Sequence, residues 1–410
     1  MDNTIKDNSF LLKNSEKRWS VSGWILPGIL LICLLMRLLW IFQIAPAIPG
    51  VLGRTSGHPE LAVPSDFFYH YHPVAKNILT GRGFLDREGK VTAHLPPLYP
   101  LFLSLIYRLF GKSPSTLRLI QIFIDTISCF LTIKIANSLF GRKIALLTGG
   151  LYACFPLLLY QSGILLSETL FTFIVLSAVY FLVKTFTRPN YCYAFFSGLL
   201  IGLSVLCKEV PLLLPLFILG GLLYKYRIEK KEAYKNFSLI IIAMCLVIGP
   251  WVIRNYIVFN DFILFRTSPS YVRDFAEVGK DSQPQPALQT WIAKKQNAIL
   301  SNPAEYIKKT AIAFFMMWYA TDSGDWQREL MLLQFGTVIL AIGGILLCRK
   351  LKTNDLPLLL VILYWVLIIP LVSGRGLVRY VIPIMPLILI YVSSGVLWCF
   401  EKIQLAIKCR

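Results

Sequence analysis

Apolar runs of about 20 residues, rich in leucine and isoleucine, recur from one end of this chain to the other. That is the length an α-helix needs to cross the hydrocarbon core of a bilayer. Lipid offers no partner to backbone N–H and C=O groups, so such runs fold as helices that satisfy those groups internally. With 56% hydrophobic and only 15% charged residues, the chain lies outside the range of ordinary soluble domains. The fold class expected is an all-α polytopic membrane protein forming one transmembrane domain over residues 1–410. Ten spans are expected, at about 24–44, 118–140, 144–162, 168–186, 191–207, 210–224, 237–257, 329–348, 356–373 and 380–400. The first is read as an uncleaved helix, because it is long for a signal peptide and carries Arg37.

Basic residues set the orientation. The net charge of +19 would suggest nucleic acid in a soluble protein, but no basic stripe with interleaved aromatics stands outside the apolar runs. Lysine and arginine collect instead in short connectors: Arg142-Lys143, Lys184 with Arg188, Lys225 to Lys235, and Arg349-Lys350-Lys352. The positive-inside rule places these on the cytoplasmic side, against anionic lipid head groups. Counting 97–110 or 306–320 as spans would put one of these clusters outside. Both segments, with a third at about 66–80, are therefore read as interfacial helices on the outer surface. Gly81 is expected to end the third. Two long outer loops result, about 45–117 and 258–328. All nine cysteines fall outside these loops, so neither a disulfide framework nor a zinc knuckle is indicated.

Charges at the ends of apolar runs are functional candidates, since polar groups at membrane depth cost several kcal/mol unless paired or hydrated. In this topology Glu168, Lys208, Glu209, Arg254, Arg375 and Arg379 gather at the outer rim, and Asp66 stands in the first outer loop with His58, His70, His72 and His94. Simpler readings exist for single members. Lys208 and Arg254 could snorkel to the interface, Glu168 could serve only the helix N-terminus, and Asp125 could form a structural pair with Arg118 or Gln121.

The order of certain residues resembles a known family. Asp66, Tyr69, Ala75, Gly81, Gly83-Phe84, Pro96-Pro97 and Tyr99-Pro100 are followed by Ser167-Glu168-Thr169-Leu170-Phe171, then Pro250-Trp251 with Arg254-Asn255-Tyr256, then Arg379-Tyr380 with Pro383 and Pro386. This succession resembles the GT-C glycosyltransferases, in the branch similar to dolichyl-phosphate-mannose–protein mannosyltransferases and bacterial aminoarabinose transferases. The resemblance implies a sugar transferase that uses a polyprenyl-phosphate-linked donor, inverts the anomeric carbon, and works on the outer face of a bacterial inner membrane. It implies that Asp66 is the general base toward a hydroxyl of a glycan, lipid or protein acceptor. Lys208, Arg254, Arg375 and Arg379 would face the phosphate, and Tyr69, His70, His94, Tyr99 and Glu168 would contribute to substrate binding. The chain departs from several mannosyltransferase relatives in carrying Asp66-Phe67 where they have an Asp-Glu pair.

No cofactor is expected: the sequence has no P-loop and no dinucleotide fingerprint. A divalent metal held by Asp66, His70, His72 and His94 is disfavoured, because His70 and His72 diverge by about 200° on a helix. The expected partners are the lipid-linked donor, the acceptor and membrane lipids, without nucleic acid. The competing functional class is a secondary transporter or flippase for a lipid or anionic solute, whose polar groups would sit near the midplane of a repeated fold. A polysaccharide ligase or polymerase of a different membrane fold is a third reading.

Overall fold

The computed structural model describes residues 24–48, 52, 63–188, 190–264, 299–321, 326–350, 354–373 and 376–408. Among them Leu85 and Val91 form an isolated β-bridge. The remainder is built from fourteen helices and the turns that join them.

Helix α1 (Ile25–Leu39) runs on through a wide turn at Trp40–Ile44 and a tight one at Ala45–Ala47. Further along, a wide turn over Phe67–Tyr71 leads into α2 (His72–Leu79), which carries Pro73 in its first turn. There Pro73 needs no helical partner for its missing N–H. Gly81, at φ +74°, closes α2 while the Arg82 N–H reaches back 3.0 Å to the Asn77 carbonyl. The expected glycine stop is thus a left-handed C-cap. Helix α3 (Leu98–Phe110) follows Pro96-Pro97 and packs on α2.

The bundle continues with α4 (Pro114–Phe140), α5 (Arg142–Cys154), α6 (Pro156–Gly163), α7 (Glu168–Thr187) and α8 (Tyr191–Cys207). Between α5 and α6 the axis bends by 55°. Pro156 is the cause: Phe155 before it is forced into an extended conformation, φ −70° and ψ 120°, which interrupts the helix. Next come α9 (Leu214–Lys225), α10 (Lys230–Phe259), α11 (Pro303–Met316), α12 (Gln327–Lys350), α13 (Leu356–Ser373) and α14 (Met385–Lys408).

The expected spans fall on helical segments, but 144–162 is divided between α5 and α6, and 210–224 and 380–400 begin in 3-10 turns before α9 and α14. The three expected interfacial segments are separate short helices. By length and apolarity six helices can cross a membrane, or seven if the bent α5–α6 pair is one span. The other expected spans, at Tyr191–Cys207, Val210–Lys225 and Leu356–Leu371, are shorter apolar helices. The protein is an integral, multi-pass membrane protein.

Small residues let the helices approach. A Cβ on Gly198 of α8 would stand 2.3 Å from the Ile240 carbonyl of α10, and one on Gly344 of α12 would stand 2.0 Å from the Tyr391 carbonyl of α14. Without a hydrophobic force between helices in lipid, such backbone contact is a main source of packing energy. The α7 span and the one ending in α14 are the most enclosed, with 72% and 83% of their apolar windows buried.

The structure corrects one pairing. Asp125 does not pair with Arg118 or Gln121, whose side chains donate instead to the Gly163 and Leu166 carbonyls. It accepts from the fully buried Arg37 guanidinium and, at 2.8 Å, from the Tyr152 hydroxyl. Arg37 also donates to the Cys33 and Ala153 carbonyls at 3.2 Å. Opposite charges from separate apolar helices thus pair with each other, which joins α1, α4 and α5.

Candidate active site

Asp66 opens the wide turn that precedes α2, and its side chain keeps 51% of its accessible surface. The nearest cation is Arg379, whose Nη1 lies 3.7 Å from Asp66 Oδ2. Arg379 comes from the far end of the sequence, on a one-turn helix over Val378–Tyr380 that leads toward α14. Two contacts hold that turn. The Val378 N–H donates to the Ala320 carbonyl at 2.8 Å, and Trp365 Nε1 of α13 donates to the Tyr380 carbonyl at 2.9 Å. A carboxylate from the segment before α2 is thereby set against a guanidinium carried by the last quarter of the chain.

Behind this pair lies a second one. Glu168, the first residue of α7, accepts from Lys208 Nζ at 2.7 Å, with the two side chains only 10% and 17% exposed. Lys208 follows the last turn of α8, and its ammonium sits 5.9 Å from the Phe171 ring and 6.0 Å from the Tyr380 ring. Tyr380 also lies under Arg379 at 5.4 Å, and the Arg379 charge acts on Glu168. The four charges therefore form one alternating cluster around Tyr380. This resolves Lys208, which is paired inside the cluster rather than snorkelling.

Tyr71 bridges the two layers. Its phenol lies within electrostatic reach of both Glu168 and Asp66. Burial, together with those carboxylates, holds the phenol above its ordinary range, so Tyr71 stays a hydrogen-bond donor at any physiological pH. The Tyr99 ring meets Tyr71 edge-on at 4.9 Å. The buried Tyr99 hydroxyl and Glu168 Oε2 have no hydrogen-bond partner. Buried polar atoms in that condition call for an explanation.

The remaining candidates divide. The His70 and His94 rings meet at 5.5 Å, and the His94 N–H donates to Thr92 Oγ1. His72 turns away, its Nδ1 2.8 Å from the Tyr107 hydroxyl. Burial, with help from Lys112 and Lys76, pushes His72 below the usual histidine range. Tyr69 is half-exposed beside Phe68, and the Arg87 guanidinium lies over both rings at 5.2 and 5.8 Å. Among the described residues no three histidine, cysteine or acidic side chains converge as metal ligands.

Arg254 stands apart from the Asp66 cluster. It donates to the Thr92 carbonyl at 3.1 Å and to Asn255 Oδ1 at 2.9 Å. Phe84, Trp251 and Phe259 surround its guanidinium at 5.0–5.6 Å. Its visible work is to fasten the 84–92 hairpin to α10. Arg375 and His58 lie outside the described residues.

Two features escape a reading of the sequence alone: Tyr71 as a link between the layers, and Arg379 as the partner of Asp66. The Arg37–Asp125 pairing had a usable signal, since Arg37 is the one charge in its apolar run and Asp125 the one acid in its own.

The comparisons with known proteins agree with this architecture. Residues 94–252 match the family described as dolichyl-phosphate-mannose-protein mannosyltransferase. The archaeal oligosaccharyltransferase AglB from Archaeoglobus fulgidus, in complex with an inhibitory peptide and a dolichol-phosphate, superimposes with a TM-score of 0.64 at 16% identity. That match covers 95% of this chain and 52% of AglB. ArnT from Cupriavidus metallidurans, bound to undecaprenyl phosphate, gives a TM-score of 0.55 at 13% identity, over 95% of this chain and 64% of that one. The fold is that of the GT-C glycosyltransferases. This chain spans about half to two-thirds of the length of those two proteins. No curated protein matches it by sequence. The family match begins at His94 and ends at Val252, so it includes Glu168 and Lys208 but neither Asp66 nor Arg379.

Proposed function

We propose that this protein transfers a sugar from a polyprenyl-phosphate-linked donor to a hydroxyl acceptor on the extracytoplasmic face of its membrane. The observation that carries the reading is the alternating cluster Asp66–Arg379 and Lys208–Glu168, on a fold shared with proteins solved with polyprenyl phosphates. Asp66 is exposed enough to receive a substrate and accepts the acceptor's proton as its oxygen attacks the anomeric carbon. The bond from that carbon to the phosphate oxygen breaks on the opposite side, with inversion, and its electron pair leaves on the polyprenyl phosphate. Arg379 and Lys208 stabilise the charge that grows there. The Tyr99 hydroxyl and Glu168 Oε2, buried without protein partners, suit sugar hydroxyls. Arg254 holds the 84–92 hairpin, which lies between Asp66 and Tyr99 in the chain. Tyr69, His70 and His94 lie on the Asp66 side and suit the acceptor.

The test is mass spectrometry of glycolipids and glycoproteins from cells with the gene, without it, and with only an Asp66→Asn copy. The expected result is a species heavier by one sugar residue in the first and absent from the other two. Identical profiles in all three would remove sugar transfer from the account. A profile intact with Asp66→Asn would remove Asp66.

A further inference from the structure

At the far end of α10 from Arg254 lies a second polar site. Lys231, Tyr234, Lys235 and Ser238 recur at i, i+3, i+4 and i+7, so they share one face of the helix's first turns. With Tyr191, at the start of α8, and Leu239 they line an open cleft of about 440 Å³. Its rim is ordered: Lys235 Nζ lies 2.9 Å from Glu232 Oε1 and 3.4 Å from the Tyr191 hydroxyl, which donates to Glu232 Oε2 at 2.7 Å. Two ammonium groups thus stand against one carboxylate, which leaves the cleft positive. Tyr191 and Tyr234 are 44% and 53% exposed, as side chains placed at head-group level are.

Position along the helix fixes the depth. Nineteen residues separate Lys235 from Arg254, about 28 Å of helix, close to the thickness of a hydrocarbon core. The cleft therefore opens on the membrane face opposite Asp66, where α10 passes from Lys230-Lys231-Glu232 into the apolar run that begins Leu239-Ile240-Ile241.

We propose that this cleft holds the head group of an anionic phospholipid of that leaflet. The phosphate sits between Lys231 and Lys235, the Ser238 hydroxyl donates to one of its oxygens, and an acyl chain descends along Leu239. A phospholipid fits better than a soluble anion because the exposed lining of the cleft is mostly apolar, with the charge confined to Lys231 and Lys235. The lipid would brace the α8–α10 pair, whose close contact at Gly198 lies one to two turns deeper.

The experiment reconstitutes the purified full-length chain with equal phosphatidylglycerol and phosphatidylcholine, then identifies retained lipid by native mass spectrometry. The expected result is selective retention of phosphatidylglycerol, reduced about an order of magnitude by Lys231→Gln with Lys235→Gln and restored by arginine at both positions. Lys143→Gln with Arg188→Gln, which removes the same charge elsewhere on that face, leaves retention unchanged. An equal fall in this control pair would reduce the effect to general surface charge and overturn the proposal. So would displacement of the lipid by inorganic phosphate, which would assign the cleft to a soluble anion. A photoreactive phosphatidylglycerol gives a check on the unaltered chain: crosslinks fall at the starts of α8 and α10, and crosslinks only elsewhere would contradict the assignment.

Discussion

Asp66 and Arg379 are more than 300 positions apart in sequence and 3.7 Å apart in space. Each was legible as a charge where an apolar run ends; their partnership was not, because pairing depends on which helices become neighbours. The same holds for Glu168 and Lys208, which read singly as a helix-terminal acid and a snorkelling base. Their coupling makes a specific prediction. Breaking a nearly buried pair strands one charge, whereas removing both leaves none stranded. Glu168→Gln and Lys208→Met should each lower thermal stability in detergent more than the double variant does, with a coupling of at least about 1 kcal/mol. Strictly additive losses would mean that the 2.7 Å contact contributes nothing. The prediction for Asp66→Asn is a different kind of change: a loss of turnover of at least about a hundredfold with stability unaltered, as befits an exposed base.

At the scale of elements, the first outer loop carries the most information. Gly81 as a stop and the short helices at 66–80 and 97–110 followed from chain chemistry. The wide turn at Phe67–Tyr71 did not, since no residue type marks it, yet it is what turns Tyr71 inward beside Tyr99. Arg254 changes its meaning here, because its contacts are to the 84–92 hairpin. Arg254→Ala should therefore speed amide exchange at residues 84–92 severalfold. Unchanged exchange together with weakened donor binding would return Arg254 to the phosphate. His72 adds a pH dependence with a definite sign. Its pKa in the folded protein is depressed by burial, so between that value and the ordinary histidine value the unfolded chain binds more protons. The loop is at full stability above about pH 6.5 and loses stability as pH falls further. His72→Phe should flatten the pH dependence of thermal unfolding below pH 7, and an unaltered slope would assign it to other groups.

For the whole molecule, recurrent apolar length and the distribution of lysine and arginine were enough to give an all-helical membrane protein and the helix that each segment forms. They were not enough for the number of crossings, because Tyr191–Cys207, Val210–Lys225 and Leu356–Leu371 are short for a bilayer and composition does not say how they are tilted or enclosed. Labelling settles the sidedness. A cysteine replacing Lys90, which is half-exposed in the first outer loop, should react with an impermeant thiol reagent on intact cells. One replacing Tyr234, at the opposite end of α10, should react only after permeabilisation. The reverse pattern would place Asp66 in the cytoplasm. The central claim remains chemical: a carboxylate on a GT-C fold moves a sugar off a lipid phosphate. Its most direct measurement is the release of free polyprenyl phosphate when purified protein is incubated with total lipid extract from cells that lack the gene, together with their unmodified glycans and proteins. The account predicts release by the native protein and none above background by Asp66→Asn. Equal release by both proteins, or none by either, would contradict it.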